Sequence, residues 1–447
     1  MRESRRFLIT TWPFAGHFYP QVAVAHALRA RGHQVAFYTG EKACSIARDE
    51  GFTCFGFDKV DEAELNRTMF SPARGSMGGR GLLRFKTTLR RWLLETIPGQ
   101  VADLDPILDA WKPDVLVSDP TFWSPYLIFH EKRGIPVAVS SFVPGCMVPG
   151  TDAPPFGLGL PSPRSIPTRL LSRAVGSITD LLASGFRGRV NELRGMYGLE
   201  PITISVTQLT GRMPLYLVPS APEFDYERRD LPPSVHYVGP CIWNRPRNEP
   251  PATWLDDLPR DRPWVHVTEG TMHVEEPMVL QAAARGLVDD PVEVIMTYCG
   301  DRDPKQLGLE PLGRNVHLAR WISHSELLPL TDVVVTTGGA GTVLATLQAG
   351  IPLLIVPTGL DKPEIARRVV ESGAGLKLSP GRCTPARLRA AVNRLLHEPN
   401  FKLNARRLAA VFKRHDGPSR AAELLDALAN EARHEDVAAV SGAMGRG

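Results

Sequence analysis

Short apolar runs alternating with helical periodicity set the rhythm of this chain. Residues 6–12 (RFLITTW) read as a buried strand, residues 20–34 (PQVAVAHALRARGHQ) carry apolar side chains at helical spacing, and residues 35–40 (VAFYTG) return to strand. The chain therefore opens β-α-β. PDVLVSDP (113–120) and IPVAVSSF (135–142) repeat the short apolar strand bounded by Pro, Asp and Ser. Strands without polar alternation are buried on both faces, which predicts a parallel sheet covered by helices.

Two Pro-rich stretches punctuate this pattern. Residues 144–168 read as a loop over a cleft, and residues 228–259, richer still in Pro and charge, as an interdomain linker. Beyond it the alternation restarts, with strands expected in 263–271, 292–300, 315–322, 332–339 and 351–357. The expected organisation is a first α/β domain over 1–227, a linker over 228–259 and a second α/β domain over 260–416. A helix over 417–433 follows a Gly-Pro break and is expected to pack back on the first domain, leaving a tail over 434–447. The fold class is thus α/β, with two doubly wound, Rossmann-like domains facing each other across a cleft. Residues 74–95 begin Gly-rich and continue as a helix with several Arg; a solvated helix face and a lid over the cleft both fit them.

Composition removes several function classes. At 447 residues the chain exceeds one typical domain, and its 43% hydrophobic and 22% charged residues are those of an ordinary globular protein. A net charge of +4 against 52 basic and 48 acidic residues, with no basic stretch interleaved with aromatics, makes nucleic acid a poor partner. No run approaches the ~20 apolar residues of a membrane span. The basic N-terminus is followed by an apolar run cut short at Pro13, so no secretory leader is expected. The cysteines, Cys44, Cys54, Cys146, Cys241, Cys299 and Cys383, form no CxxC pair. They are expected to be reduced thiols in a cytoplasmic protein, not a disulfide framework or a zinc site.

One turn carries candidate chemistry. VVVTTGGAGTV (333–343) runs from a β-branched strand through two threonines into Gly338, Gly339 and Gly341, where a helix is expected to start. A helix N-terminus offers unpaired N–H groups and a positive dipole end, so phosphate is its natural ligand, with the Thr342 hydroxyl adding a hydrogen bond. The same glycines would equally serve a bare strand-to-helix turn. Leu344 stands where a dinucleotide fingerprint has its third glycine, and no Lys follows as in a Walker loop. Neither NAD nor a hydrolysed ATP is indicated.

Read outward from this turn, residues 321–364 resemble the donor-binding block of the UDP-glycosyltransferase family (glycosyltransferase family 1, GT-B fold). The likeness rests on Trp321, TTGGAGTV, the strand AGIPLLIVP, and DKPEIARRV with Asp361 and Lys362, supported by VTEGT (267–271) and YVGP (237–240). It is strongest to the bacterial natural-product branch, whose members glycosylate polyketide, macrolide or related aglycones. The resemblance implies Trp321 stacking on a nucleotide base. It implies Gly338, Gly339, Gly341 and Thr342 cradling a diphosphate, Gly270 and Thr271 beside the donor, and Asp361 binding sugar hydroxyls. There are three departures from the family. Its usual His is Thr337, which could still donate to a phosphate oxygen. Its usual Gln is Lys362, a cation that could bind sugar hydroxyls, pair with a carboxylate or face solvent. Its usual residues after the Trp are replaced by Ile322, Ser323 and His324.

The chemistry implied is transfer of a sugar from a UDP- or TDP-linked donor to a hydroxyl of a hydrophobic aglycone. An alcohol attacks only as its proton is removed, so a base is needed. His17 lies in TTWPFAGHFYP (10–20), in the expected loop between the first strand and first helix, at the strand edge where open α/β sheets bind ligands. Asp119 ends another strand at the same kind of edge, where it would hold the imidazole Nδ1–H. A lone His after a strand is more often a cap; the G-H-x-x-P setting and the aspartate resemble the family's catalytic pair. His266 and His273 flank the donor strand end as second candidates. Phe14, Phe18, Phe122, Trp123, Phe142 and Met147 are candidates to line an acceptor pocket, about half of them expected in the core. Inversion at the anomeric carbon is implied, with no cofactor, and with backbone N–H groups in place of a metal ion meeting the leaving charge. The expected partners are the aglycone and nucleotide sugar, with the chain a monomer or homodimer. A non-catalytic binder of either ligand, or a nucleotide-sugar epimerase of like architecture, remains open.

Overall fold

The computed structural model describes residues 3–69, 79–245, 252–270, 277–298, 303–309 and 311–444, with side chains described except at 79–85, 180–184 and 434–444. Among the described residues thirteen strands form two all-parallel sheets. The first contains β1 (Arg6–Thr10), β2 (Gln34–Thr39), β3 (Thr53–Gly56), β4 (Val115–Ser118), β5 (Val137–Ser140), β6 (Leu215–Val218) and β7 (Val235–Tyr237), in the order β3-β2-β1-β4-β5-β6-β7. The second contains β8 (Trp264–Thr268), β9 (Glu293–Thr297), β10 (Val316–Ala319), β11 (Val333–Thr336), β12 (Leu353–Ile355) and β13 (Gly375–Lys377), in the order β10-β9-β8-β11-β12-β13.

The strands are uniformly apolar because each face feeds a separate core. In β1, Leu8 joins Tyr38, Leu116 and Val139 on one side, while Phe7 and Ile9 join Phe37, Val117 and Leu217 on the other. The second core is closed by Phe18, Val22 and Leu28 of the first helix (Ala15–Ala30) and by Ala421, Ala422, Leu425 and Ala429 of the C-terminal helix (Gly417–Met444). The chain thus returns from the second sheet to cover the first. Among the described residues no helix is long and apolar enough to cross a membrane.

Three features differ from the sequence reading. The first helix begins at Ala15, ahead of Pro20, so His17 sits in its first turn and not in a loop. The proline's missing N–H falls one turn in, where it costs the helix the bond to the Gly16 carbonyl. Second, the Pro-rich stretch 228–259 contributes the edge strand β7, paired with β6 through Val218↔Tyr237. Third, Cys44 and Cys54 are joined as a disulfide, correcting the expectation of reduced thiols throughout. The helix Glu41–Asp49 folds back on β3 and brings their Cα atoms to 5.5 Å. Cys146 and Cys241 are buried thiols and Cys383 is half-buried, while Cys299 lies outside the described residues.

Candidate active site

In each sheet the strand order reverses once, between β1 and β4 and between β8 and β11. Chains leaving neighbouring strands in opposite directions open a crevice at that point. His17 and Asp119 follow β1 and β4; Gly270 and the glycine turn follow β8 and β11. The first helix and the glycine-turn helix (Ala340–Gln348) touch, so the two crevices face each other.

On the first side, the Asp119 N–H donates to the Thr10 carbonyl at 3.0 Å, fixing the end of β4 against β1. His17 Nδ1 lies 2.7 Å from Asp119 Oδ2. A carboxylate accepts there, so Nδ1 carries the proton and Nε2 is left as the basic nitrogen. The other carboxylate oxygen accepts from the Thr121 N–H at 2.8 Å and the Thr121 hydroxyl at 2.6 Å. Asp119 is fully buried and His17 nearly so; a carboxylate so placed requires this full set of partners. Thr121 escaped sequence reading, although Asp-x-Thr spacing is a signal for such a turn.

The imidazole lies among aromatic rings. Phe142 packs on it at 3.7 Å between centroids, with Phe14 at 5.8 Å and Trp92 at 6.1 Å. Trp92, from the helix Gly79–Leu93, was not among the expected pocket residues. Phe122 is instead a core residue, fully buried against Trp12, Tyr38 and Phe57. Trp123 is buried in the same cluster, and Phe18 lies in the other core of the sheet. Phe142 and the half-buried Met147 join a cluster with Leu344 and Ile355 of the second sheet's domain, so they bridge the domains.

On the second side, the glycines divide into two kinds. Gly338 has φ +95°, and a Cβ there would lie 2.8 Å from Ile355 Cγ2, so backbone and packing both require glycine. A Cβ at Gly339 or Gly341 would meet no protein atom within 4 Å. Gly339 caps the helix without a side-chain hydrogen bond, and no acidic residue occupies the first turn. Its leading N–H groups therefore face a cradle suited to an anion. Thr342 lies in this first turn, half-buried.

Thr337, nearly fully buried, does not aim its proton at the cradle. Its hydroxyl donates to the Glu269 carbonyl at 2.8 Å and accepts from Lys362 Nζ at 3.2 Å. Lys362 opens the helix Lys362–Glu371, and its ammonium also donates to the Thr358 hydroxyl at 2.9 Å. Asp361 caps that helix after Gly359 and Leu360, the latter at a positive φ of 56° that few side chains adopt. Burial pushes the Asp361 carboxyl up, opposed by Lys362, its own backbone N–H and, across the cleft, His17. Gly270 (φ +79°) ends the turn after β8, and Trp321, half-buried, follows β10. Thr271 and His273 lie outside the described residues. His266 is a core residue of β8, hydrogen-bonded through Nε2 to the Thr297 hydroxyl at 3.0 Å. Burial, then the neighbouring His324, pushes it down to about 3.

A buried polar lock joins the two sides. Arg368 donates to Asp225 at 2.8 Å and to Glu364 at 2.9 Å. Tyr237 and the Cys146 N–H hold the other Asp225 oxygen, both at 2.7 Å. Glu364 also accepts from the Gly159 N–H at 2.8 Å, so the loop expected to cover the cleft is fastened to the helix that carries Lys362.

Comparison with known proteins agrees with this architecture. Residues 280–428 match the family model described as Erythromycin biosynthesis protein CIII-like, C-terminal domain. The 4'-demethylrebeccamycin synthase of Lentzea aerocolonigenes is 34% identical over 429 residues, covering 95% of this chain and 99% of that protein. Demethyllactenocin mycarosyltransferase of Streptomyces fradiae is 28% identical, covering 94% of this chain and 86% of its own. Among solved structures, the calicheamicin glycosyltransferase CalG4 shares the fold, with a TM-score of 0.70 over 96% of this chain and 99% of its own at 22% identity. The facing sheets, the cradle on one side and the relatives spanning nearly the whole chain make this protein a glycosyltransferase of the GT-B fold, a member of the natural-product branch of the UDP-glycosyltransferase family.

Proposed function

We propose that the chain is an inverting glycosyltransferase that moves a sugar, deoxysugars included, from a UDP- or TDP-linked donor to a hydroxyl of a hydrophobic natural-product aglycone. The observation that carries this reading is the 2.7 Å contact between His17 and Asp119 at one crevice, facing the glycine cradle at the other. The names of the relatives, a rebeccamycin-type synthase and a mycarosyltransferase, favour the same acceptor and donor classes.

In the reaction, His17 Nε2 takes the acceptor's hydroxyl proton while the acceptor oxygen forms the new bond to the anomeric carbon. The bond from that carbon to the phosphate oxygen breaks, and its electron pair leaves with the nucleoside diphosphate. Asp119 stabilises the imidazolium, and Thr121 keeps the carboxylate oriented. The N–H groups at the glycine-turn helix meet the leaving charge without a metal ion. Trp321 lies against the base, Gly270 near the donor, Gly338, Gly339, Gly341 and Thr342 against the diphosphate, and Asp361 against sugar hydroxyls. Phe14, Trp92 and Phe142 form the apolar wall nearest the base.

The test is turnover on a panel of phenolic and macrolide aglycones alongside calorimetry with UDP and TDP. His17→Ala and Asp119→Asn are each expected to lower turnover by roughly 10²–10⁴-fold while nucleotide affinity persists. A His17→Ala enzyme as active as the wild type would sink the assignment.

A further inference from the structure

The described geometry sets Thr337 and Lys362 in one hydrogen-bonded unit, and the division of labour within it follows from counting protons. A hydroxyl has one proton to give. Thr337 spends it on the Glu269 carbonyl, leaving only lone pairs toward the cleft, and one of these receives Lys362 Nζ. The Thr358 hydroxyl takes a second ammonium proton. Together these two hydroxyls hold the nitrogen of a long, flexible side chain at one place, removing rotamer freedom that a ligand would otherwise have to remove.

That place adjoins the glycine cradle. A Cβ on Gly338 would lie 3.6 Å from the Cβ of Lys362, so the lysine stem borders the turn leading into the glycine-turn helix. The sheet order sets which end of a ligand it meets. Trp321 follows β10, at one edge, whereas Lys362 follows β12, on the far side of β11 and its glycine turn. A nucleotide whose base rests by Trp321 and whose phosphates cross the turn reaches Lys362 with its terminal phosphate, the one bonded to the sugar. Asp361, next in the chain, already senses His17 across the cleft, which puts this end of the turn toward the reacting end.

We propose that the Lys362 ammonium, braced by Thr337 and Thr358, binds the sugar-linked phosphate of the donor and neutralises the charge that phosphate gains as the nucleoside diphosphate leaves. This rests on the glycosyltransferase reading above and adds which group supplies the positive charge. The threonine at 337 is then a bracket for a cation and not itself a phosphate donor.

Calorimetry on the full chain separates the possibilities, with UDP and TDP compared against UMP and TMP, which lack the second phosphate. Lys362→Gln is expected to weaken the diphosphates by about tenfold or more and the monophosphates far less. Lys362→Arg restores most of the difference, and Thr337→Val gives a smaller loss of the same kind. Retained monophosphate binding reports an intact fold. Unchanged diphosphate affinity in Lys362→Gln, or equal weakening of mono- and diphosphates, would overturn the assignment and leave the donor site itself standing. A wild-type chain that binds none of these nucleotides would overturn the donor reading as well.

Discussion

Two histidines show how one side chain takes opposite roles according to what surrounds it. His17 has a buried carboxylate 2.7 Å from Nδ1, which fixes the ring and leaves Nε2 as its unprotonated nitrogen. His266 has a neutral hydroxyl on one nitrogen and the His324 ring 6.3 Å away, and burial, then His324, pushes it down to about 3. The unfolded chain takes up this proton near pH 6.5, the folded chain only near the depressed value. Its contribution to stability is therefore present above about pH 6.5 and is lost as pH falls toward about 3. Urea unfolding at several pH values should show stability declining through this window, and His266→Gln should flatten the decline. An unaltered slope would mean that other groups dominate acid unfolding.

At the scale of the element, the glycine turn separates what the fold needs from what a ligand needs. Gly338→Ala forces a side chain into φ +95° and toward Ile355, and is expected to destabilise by ~1–3 kcal/mol. Gly341→Ala places a methyl group in open space within a helical first turn, where Ala is favoured. It should leave the melting temperature unchanged or raised, yet weaken UDP or TDP severalfold by occupying the cradle. Equal affinity in Gly341→Ala and wild type would show that the cradle does not hold the diphosphate. The turn was legible in the sequence because a β-branched run, glycines and a helical pattern are consecutive. The start of the first helix was misplaced because Pro20 looks like a helix opener, whereas Ala15 to Tyr19 form a turn ahead of it. Strand β7 was hidden by its Pro-rich, charged setting, and its place at the sheet edge is decided by pairing with β6.

At the scale of the molecule, the Arg368 lock fastens Asp225 and the loop 144–168 of the first domain to the helix Lys362–Glu371 of the second. Removing the guanidinium leaves Asp225 and Glu364 buried without their cation. Arg368→Met is therefore expected to cost ~3–5 kcal/mol, read as a lower urea midpoint, and Arg368→Lys should not restore it because two carboxylates are held by one planar fork. A midpoint equal to that of wild type would show that the lock adds nothing to stability.

The sequence alone determined the two parallel sheets, the return of the C-terminal helix, the glycine turn and the histidine and aspartate at their strand ends. Each is written in local pattern: apolar runs with no polar alternation, a Gly-Pro break, three glycines after a strand, a polar residue where a strand stops. Tertiary structure alone decided which of these residues meet. The contact of His17 with Asp119 spans 102 positions and that of Arg368 with Asp225 spans 143. The disulfide, the loss of Phe122 to the core and the bracket of Thr337 on Lys362 are of the same kind. Such pairings depend on how strands are ordered in a sheet and how two domains face, and no spacing along the chain encodes that.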